Sequence, residues 1–281
     1  MRIIEAAQIT DAVAKLAMDA NYYLSPDIHQ TLEAGIGKEE APLGKEILRQ
    51  LVENACIARD EAMPICQDTG MAVVFIELGQ DVHISGGDLT DAVNAGVARG
   101  YMEGYLRKSV VDDPLFVRRN TKDNTPAILH VSIVPGDRVR ITLAPKGFGS
   151  ENMSALKMLK PADGVEGVKQ FVVDTVVKAG SNPCPPIVVG IGIGGTMEKA
   201  ALLAKQALIR PITVRNPNPQ YAALEQELLT LINNTGVGPQ GLGGRVTALG
   251  VNIEYFPTHI AGLPVAININ CHATRHAAVE L

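Results

Sequence analysis

The chain has 281 residues, 46% hydrophobic, 20% charged and 4% aromatic with no Trp, and 30 acidic against 25 basic side chains leave a net charge of −5. This length suits one large domain or two small ones with a full core. The acidic balance excludes the basic footprint of a phosphate-backbone binder, and the scarcity of aromatics removes a stacking platform for bases, so no nucleic-acid partner is expected.

The first 65 residues read as helical. Ile9, Val13, Leu16 and Ala17 form one 3.6-period stripe, Ile47, Leu51 and Ala55 another, and Ser25-Pro26-Asp27 marks a helix start between them. Met71 to Leu78 is a nearly continuous apolar run, as expected of a buried strand. After Asp88, the residues Leu89, Val93, Val97, Tyr101 and Tyr105 form an i, i+4 helical ladder. Ala127–Val134 and Arg138–Ala144 alternate on either side of Pro135-Gly136-Asp137, which predicts a hairpin with Leu129, Val131 and Ile133 facing Val139, Ile141 and Leu143. Val165 to Ala179 reads as a helix stopped by Gly180, Pro186–Ile193 as a buried strand, Met197–Leu208 as a helix, and Tyr221, Leu224, Leu228 and Ile232 as a further amphipathic face. Val246–Tyr255 and Val265–Ile269 read as alternating strands. The expectation is an α+β fold over 1–281: a helical N-terminal segment packed with mixed and antiparallel strands, and an α/β portion near 186–210. With no Ser-rich or charged linker it reads as one compact unit.

No apolar run approaches the roughly 20 residues needed to span a bilayer. Met1-Arg2-Ile3-Ile4-Glu5 lacks a signal peptide's apolar stretch, so a cytoplasmic protein with no membrane partner is expected. In that reducing compartment the four cysteines leave structural, metal-binding and catalytic roles open. Cys56 lies mid-helix among Ala55, Ile57 and Ala58 and reads as a core thiol. Cys66 follows a helix, Cys184 stands between prolines in Asn182-Pro183-Cys184-Pro185-Pro186, and Cys271 ends the last strand. All three sit at junctions, where loops carry function more often than packing. A buried structural role is the rival reading for each. His259 lies in a loop between two strands, open to acid–base use or to a bland surface role. Gly190-Ile191-Gly192-Ile193-Gly194-Gly195 matches a dinucleotide fingerprint, and Arg215 keeps an NADP reading open. However, no acidic residue ends a strand about 20 residues on, so the favoured reading is a Gly-rich strand–helix turn that needs close packing or binds a small anion at the helix N-terminus.

Taken in order, Cys66-Gln67-Asp68-Thr69-Gly70, Lys146-Gly147-Phe148-Gly149-Ser150-Glu151-Asn152, Asn182-Pro183-Cys184-Pro185-Pro186, His259 and Asn270-Cys271-His272 resemble the class I (iron–sulfur) fumarate hydratases. The resemblance is to the alpha subunit of the two-subunit form and covers essentially the whole chain. Alpha subunits of L-tartrate dehydratase are similar in the cysteine motifs, but their glycine loop usually lacks the Lys-Gly-x-Gly-Ser-Glu-Asn form. The resemblance implies that Cys66, Cys184 and Cys271 hold a [4Fe–4S] cluster with one iron free of protein ligands, a Lewis acid for reversible hydration of fumarate to (S)-malate. It further implies that Asp68 and His259 are catalytic, and that Gln67, Arg107 and Gly149 contact the dicarboxylate substrate. Single-chain members continue into a second domain carrying further site residues, whereas this chain runs ten residues past Cys271. A separate beta subunit completing the site, in a hetero-oligomer, is therefore expected. An NADP-dependent oxidoreductase and a non-catalytic iron–sulfur protein are the alternatives of other classes.

Overall fold

A computed structural model describes residues 1–281. In chain order the first half comprises β1 (Arg2–Glu5), α1 (Ala6–Tyr22), α2 (Pro26–Lys38), α3 (Pro42–Asp60), β2 (Met71–Gly79), β3 (Val82–Ser85), α4 (Leu89–Glu103), β4 (Ile128–Val134) and β5 (Val139–Lys146). The second half comprises the one-turn α5 (Phe148–Glu151), β6 (Ala155–Leu159), α6 (Gly164–Ala179), β7 (Ile187–Gly194), α7 (Met197–Ala207), α8 (Pro219–Asn233), β8 (Ala248–Phe256), β9 (Leu263–Asn270) and β10 (Ala277–Glu280). The fold is α+β. Its elements gather into a first unit of Met1–Leu24, Ala55–Phe148 and Arg275–Leu281, and a second of Ser25–Asn54 and Gly149–Thr274. Each unit is assembled from separate stretches of chain, which is why no linker composition marks a boundary. No helix is long and apolar enough to cross a membrane.

In the first unit the sheet order is β10-β5-β2-β4. The expected β4–β5 hairpin does not form: β2 lies between the two, parallel to β4 with Val74 opposite Leu129, and antiparallel to β5 with Val74 opposite Leu143. The physical reason is the apolar run itself. Ala72, Val73, Val74, Phe75 and Ile76 are all buried, so β2 is apolar on both faces and takes a central position. The 135–137 turn passes around the exit of β2, with Gln80 N–H donating to Val134 O (2.8 Å) and Asp81 N–H to Gly136 O (3.0 Å). β4 becomes an edge strand, so Val131 and Ile133 stay exposed while Leu129 packs against the core. That core joins Ile9, Val13 and Leu16 of α1 and Val93, Val97 and Tyr101 of α4 to Val74, Ile76, Ile141 and Leu143 of the sheet. Asp88 caps α4 by accepting from Thr90 N–H and Asp91 N–H. The helix ends before Tyr105, whose φ of +52° breaks the expected ladder.

In the second unit the order is β6-β9-β7-β8, with β7 parallel to β8 and antiparallel to β9. β8 and β9 do not alternate between buried and exposed as expected. Each is buried over six consecutive residues, Ala248–Ile253 and Pro264–Ile269, because α6 and α8 cover one sheet face with Val172, Val176, Leu228 and Ile232, while α7 covers the other with Ala200 and Ala204. The glycine run is explained by α7: a Cβ on Gly190 would lie 2.2 Å from Ala204 O, and one on Gly192 would lie 2.0 Å from Ala200 O. These glycines serve close helix–strand packing, the second of the two readings, and face a helix backbone rather than a ligand.

Between α2 and α3, Glu39 is 2% exposed and accepts the N–H groups of Glu40 (2.8 Å), Ala41 (2.9 Å), Arg245 (2.9 Å) and Val246 (2.8 Å). Burial alone would raise the pKa of this carboxyl. The N–H donors of Val246, Ala41, Arg245 and Glu40 together outweigh burial and hold it below the ordinary 4.5. A group whose folded pKa is depressed stabilises above its unfolded pKa, and the contribution is lost as pH falls through the folded value. Glu39→Gln is therefore expected to destabilise the chain by about 2 kcal/mol or more at pH 7. In urea unfolding, the gap to the unaltered protein should shrink once the pH drops below the ordinary carboxylate range.

Candidate functional site

Each sheet gathers its chemistry at one edge. In the first unit, β2 begins where β5 ends, with Met71 opposite Lys146, and β10 begins there too, with Ala277 opposite Leu143. The connections Cys66–Gly70, Gly147–Phe148 and Arg275–His276 thus leave from a common edge. Asp68 is held through both oxygens, accepting from Gly70 N–H at Oδ1 (3.0 Å) and from Phe148 N–H at Oδ2 (2.9 Å). The Cys66 thiol points to Gln67 Oε1 (3.3 Å), and its sulfur accepts Asp68 N–H (3.4 Å). Gly70, at φ +73°, is required: a Cβ there would lie 2.7 Å from the Lys146 backbone.

The same connection is fixed from below by buried donors. Arg275 Nη2 donates to Asp68 O, Tyr101 OH to Thr69 O (2.8 Å) and Gly70 O (3.1 Å), and Asn124 Nδ2 to Gly70 O (3.1 Å). Burial drives the Tyr101 phenol well above its ordinary pKa, so it remains a donor. Thr69 Oγ1 donates to Arg107 O (3.0 Å), which joins the Arg107 segment to the loop. The Arg107 side chain itself is exposed and makes no ion pair, leaving its fork available.

In the second unit, β7 starts and β9 ends at one edge, with Val188 opposite Asn270. This brings the backbone at Cys184 beside the segment after Cys271. His272 N–H points to Cys184 O (3.4 Å), and the His272 ring nitrogen Nδ1 lies 3.0 Å from the same carbonyl. Gln240 donates to Pro185 O from both its backbone and its side chain (2.8 Å each). Cys184 is exposed and has a φ of +53°, a left-handed conformation that costs a non-glycine residue of order 1 kcal/mol or more. Glu151, two residues after Gly149, is anchored at this edge by Lys205 Nζ (2.6 Å) and Asn268 Nδ2 (2.7 Å). Gly149 is exposed within α5, and a Cβ there would make ordinary contact with Asn182 O at 3.5 Å.

His259 is placed elsewhere. It lies between β8 and β9, where Thr258 Oγ1 donates to Gly195 O (2.9 Å) at the far end of β7. The whole of β9, roughly 26 Å at about 3.3 Å per residue, separates it from Cys271. Its Nδ1 accepts Ala261 N–H (3.2 Å), which leaves Nε2 as the donor in an exposed loop. No group of three or more His, Cys, Asp or Glu side chains is assembled to hold a metal ion. The surface hollow lined by Thr31, Lys38, Gln226, Thr230 and Arg245 contains none of these site residues.

Arg275, Tyr101, Asn124 and Gln240 were not singled out by sequence reasoning. For Arg275 the available signal was its place four residues after Cys271. For Gln240 it was the glycine-rich stretch 236–244, whose turns bring a polar side chain to the sheet edge.

The profile of the fumarate hydratase (Fumerase) family matches residues 10–280, and the chain belongs to that family and is a hydro-lyase. It is 46% identical over 276 residues to the "Putative L(+)-tartrate dehydratase subunit alpha" of Methanocaldococcus jannaschii, covering 96% of each chain. It is 31% identical over 274 residues to the L(+)-tartrate dehydratase subunit alpha of Escherichia coli K12, covering 97% of this chain and 90% of that one.

Arg275 is 4% exposed, and its Nε and Nη1 have no hydrogen-bond partner. A buried cation with unmet donors is a poor stabiliser, and an apolar replacement of similar volume is often neutral or stabilising. Arg275→Met is expected to leave the melting temperature unchanged or higher while speeding hydrogen exchange at the Thr69 and Gly70 amides. A fall of more than roughly 5 °C would mark Arg275 as a purely structural cation.

Proposed function

We propose that this chain is the cluster-bearing alpha subunit of a two-subunit, cytoplasmic iron–sulfur hydro-lyase that interconverts fumarate and (S)-malate. The observation that carries the reading is the Cys66-Gln67-Asp68 connection, with a thiol, an amide and a doubly held carboxylate in succession beside the free Arg107 fork. The donor set fits a [4Fe–4S] cluster in its chemistry. Cys66 already accepts a backbone N–H at sulfur, Cys184 is exposed, and the Cys184 and Cys271 loops share one sheet edge. In this proposal Cys66, Cys184 and Cys271 are the ligands and Cys56, within α3, is not. When bound, such a cluster supplies a Lewis acid at the iron without a protein ligand.

The chain's own residues bind and orient the substrate. Arg107 offers a bidentate fork to one carboxylate and Gln67 an amide beside it. Asp68, fixed by two N–H donors and still carrying free lone pairs, moves the proton of the departing or entering oxygen. Gly149 presents backbone to the substrate. His259, at the opposite sheet edge from Cys271, is given no step within the same chain's site. The relatives are named as alpha subunits, which supports a companion beta subunit supplying the remaining carboxylate-binding groups. Those names also favour a second reading, L(+)-tartrate as substrate. Malate and tartrate are both four-carbon 2-hydroxy dicarboxylates and would use Arg107 and Asp68 in the same way.

The test is an anaerobic assay of the chain with its companion subunit on fumarate, (S)-malate and L(+)-tartrate. A kcat/KM for malate and fumarate above that for tartrate is expected, and the reverse order would assign tartrate. Asp68→Asn should lower kcat by about 10²–10⁴-fold with little change in KM. Arg107→Met should instead raise KM by roughly 10-fold or more. Iron counted per chain should fall in Cys66→Ser, Cys184→Ser and Cys271→Ser and hold in Cys56→Ser. Normal iron in Cys184→Ser would refute the ligand assignment.

A further inference from the structure

Between α4 and β4 the chain projects a finger that the reading above does not use. Its neck is closed by the antiparallel bridge of Val111 with Asn120, by Asp112 N–H to Arg119 O (2.8 Å) and by Thr121 N–H to Val110 O (3.0 Å). At the tip, the Asp113 carboxylate accepts three successive amides, those of Leu115 (3.1 Å), Phe116 (2.9 Å) and Val117 (2.6 Å). Arg118 Nη1 donates back to Pro114 O. The turn is therefore preformed from its own groups. What it presents is apolar: Leu115 is 71%, Phe116 85% and Val117 67% exposed. Three adjacent large apolar side chains on a fixed turn are an anchor without a socket, since single scattered ones are ordinary but a contiguous rigid group marks a contact surface.

The surroundings specify the socket. Residues 105–124 carry five basic side chains (Arg107, Lys108, Arg118, Arg119 and Lys122) against three acidic ones in a chain whose net charge is −5. None of the five forms an ion pair. Two of the acids are occupied at backbone amides, Asp113 at the tip and Asp123 at Thr125 N–H (3.0 Å). The base of the finger is tied to the Cys66–Gly70 connection. Asn124 Oδ1 accepts Ser109 N–H (2.7 Å) while its Nδ2 holds Gly70 O, and Thr69 holds Arg107 O.

We propose that the finger is the docking anchor for the companion subunit, which receives Leu115-Phe116-Val117 in an apolar pocket rimmed by Asp and Glu. This rests on the two-subunit reading above. The base of the finger adjoins the segment that carries Arg107, with Asn120 Nδ2 donating to Lys108 O (2.9 Å), so docking is continuous in sequence with the substrate-binding loop. A second copy of this chain is the poorer occupant, because a two-fold finger-to-finger contact would set the unpaired cations of one copy against those of the other.

The experiment measures binding of the full chain to the purified companion subunit by calorimetry at low and high salt. Phe116→Ser should weaken binding at least about 30-fold, the effect of a central aromatic anchor. Arg119→Glu with Lys122→Glu should weaken it too and flatten its salt dependence. Both variants should melt with the unaltered chain, since these side chains pack against no core. Tight binding by the unaltered chain with equal binding by both variants would overturn the finger and leave the two-subunit reading standing. No binding by the unaltered chain would overturn the two-subunit reading itself. Self-association that Phe116→Ser abolishes would assign the surface to a second copy and overturn the proposal.

Discussion

Three successive carbonyls, those of Asp68, Thr69 and Gly70, are gripped from beneath by Arg275, Tyr101 and Asn124, and the course of the Cys66–Gly70 connection depends on that grip. A connection between a helix and a central strand has no ladder of its own, so its backbone groups must find side-chain partners or water. Here the donors are buried and come from α4, from the segment before β4 and from the segment before β10. Their bonds fix the peptide groups of residues 68–70, while the Asp68 carboxylate is held separately by the Gly70 and Phe148 amides. Preorganisation of this kind lets a carboxylate act without first reorganising its surroundings.

The cost of the arrangement falls on stability. Arg275 is buried with two donors unmet, and Cys184 holds a left-handed backbone conformation between two prolines. Against these, the second unit sets interactions of the opposite kind. Glu39 collects four backbone amides, and Glu225, fully buried, accepts Ile253 N–H (2.9 Å) and pairs with Arg210. Satisfied buried charges of this sort do not stabilise more than good apolar packing would. They do fix one arrangement of the segments they join, because any other strands a charge.

Much of the fold was legible because hydrophobic period is local. The α1 stripe, the Asp88 cap, the Gly180 stop and the two-face burial of Met71–Leu78 were all readable over a few residues. Strand pairing was not, since the proximity of two alternating segments across Pro135-Gly136-Asp137 argues for a hairpin unless a more apolar strand competes for the place between them. β2 was that strand, and its composition carried the clue. The site divides in the same way. Cys66, Cys184 and Cys271 stood out by junction context, and Asp68 by the family motif alone. Tyr101 looked like one more apolar position of the α4 ladder, and nothing in Asn124 or Arg275 marks a donor to a carbonyl 54 or 207 residues away.

His259 shows how far a motif match reaches. Its neighbours in sequence match those of a site histidine, yet strand direction places it at the end of the sheet opposite to Cys184 and Cys271. In a mixed sheet the start of one strand and the end of its antiparallel neighbour share an edge, so β7 and β9 necessarily bring the Cys184 and Cys271 connections together. The same geometry necessarily sends the β8–β9 connection to the other edge. Strand direction, not sequence proximity, decides which of these residues share an edge. In the second unit that direction sets the Cys184 and Cys271 connections at one edge of the sheet and His259 at the other.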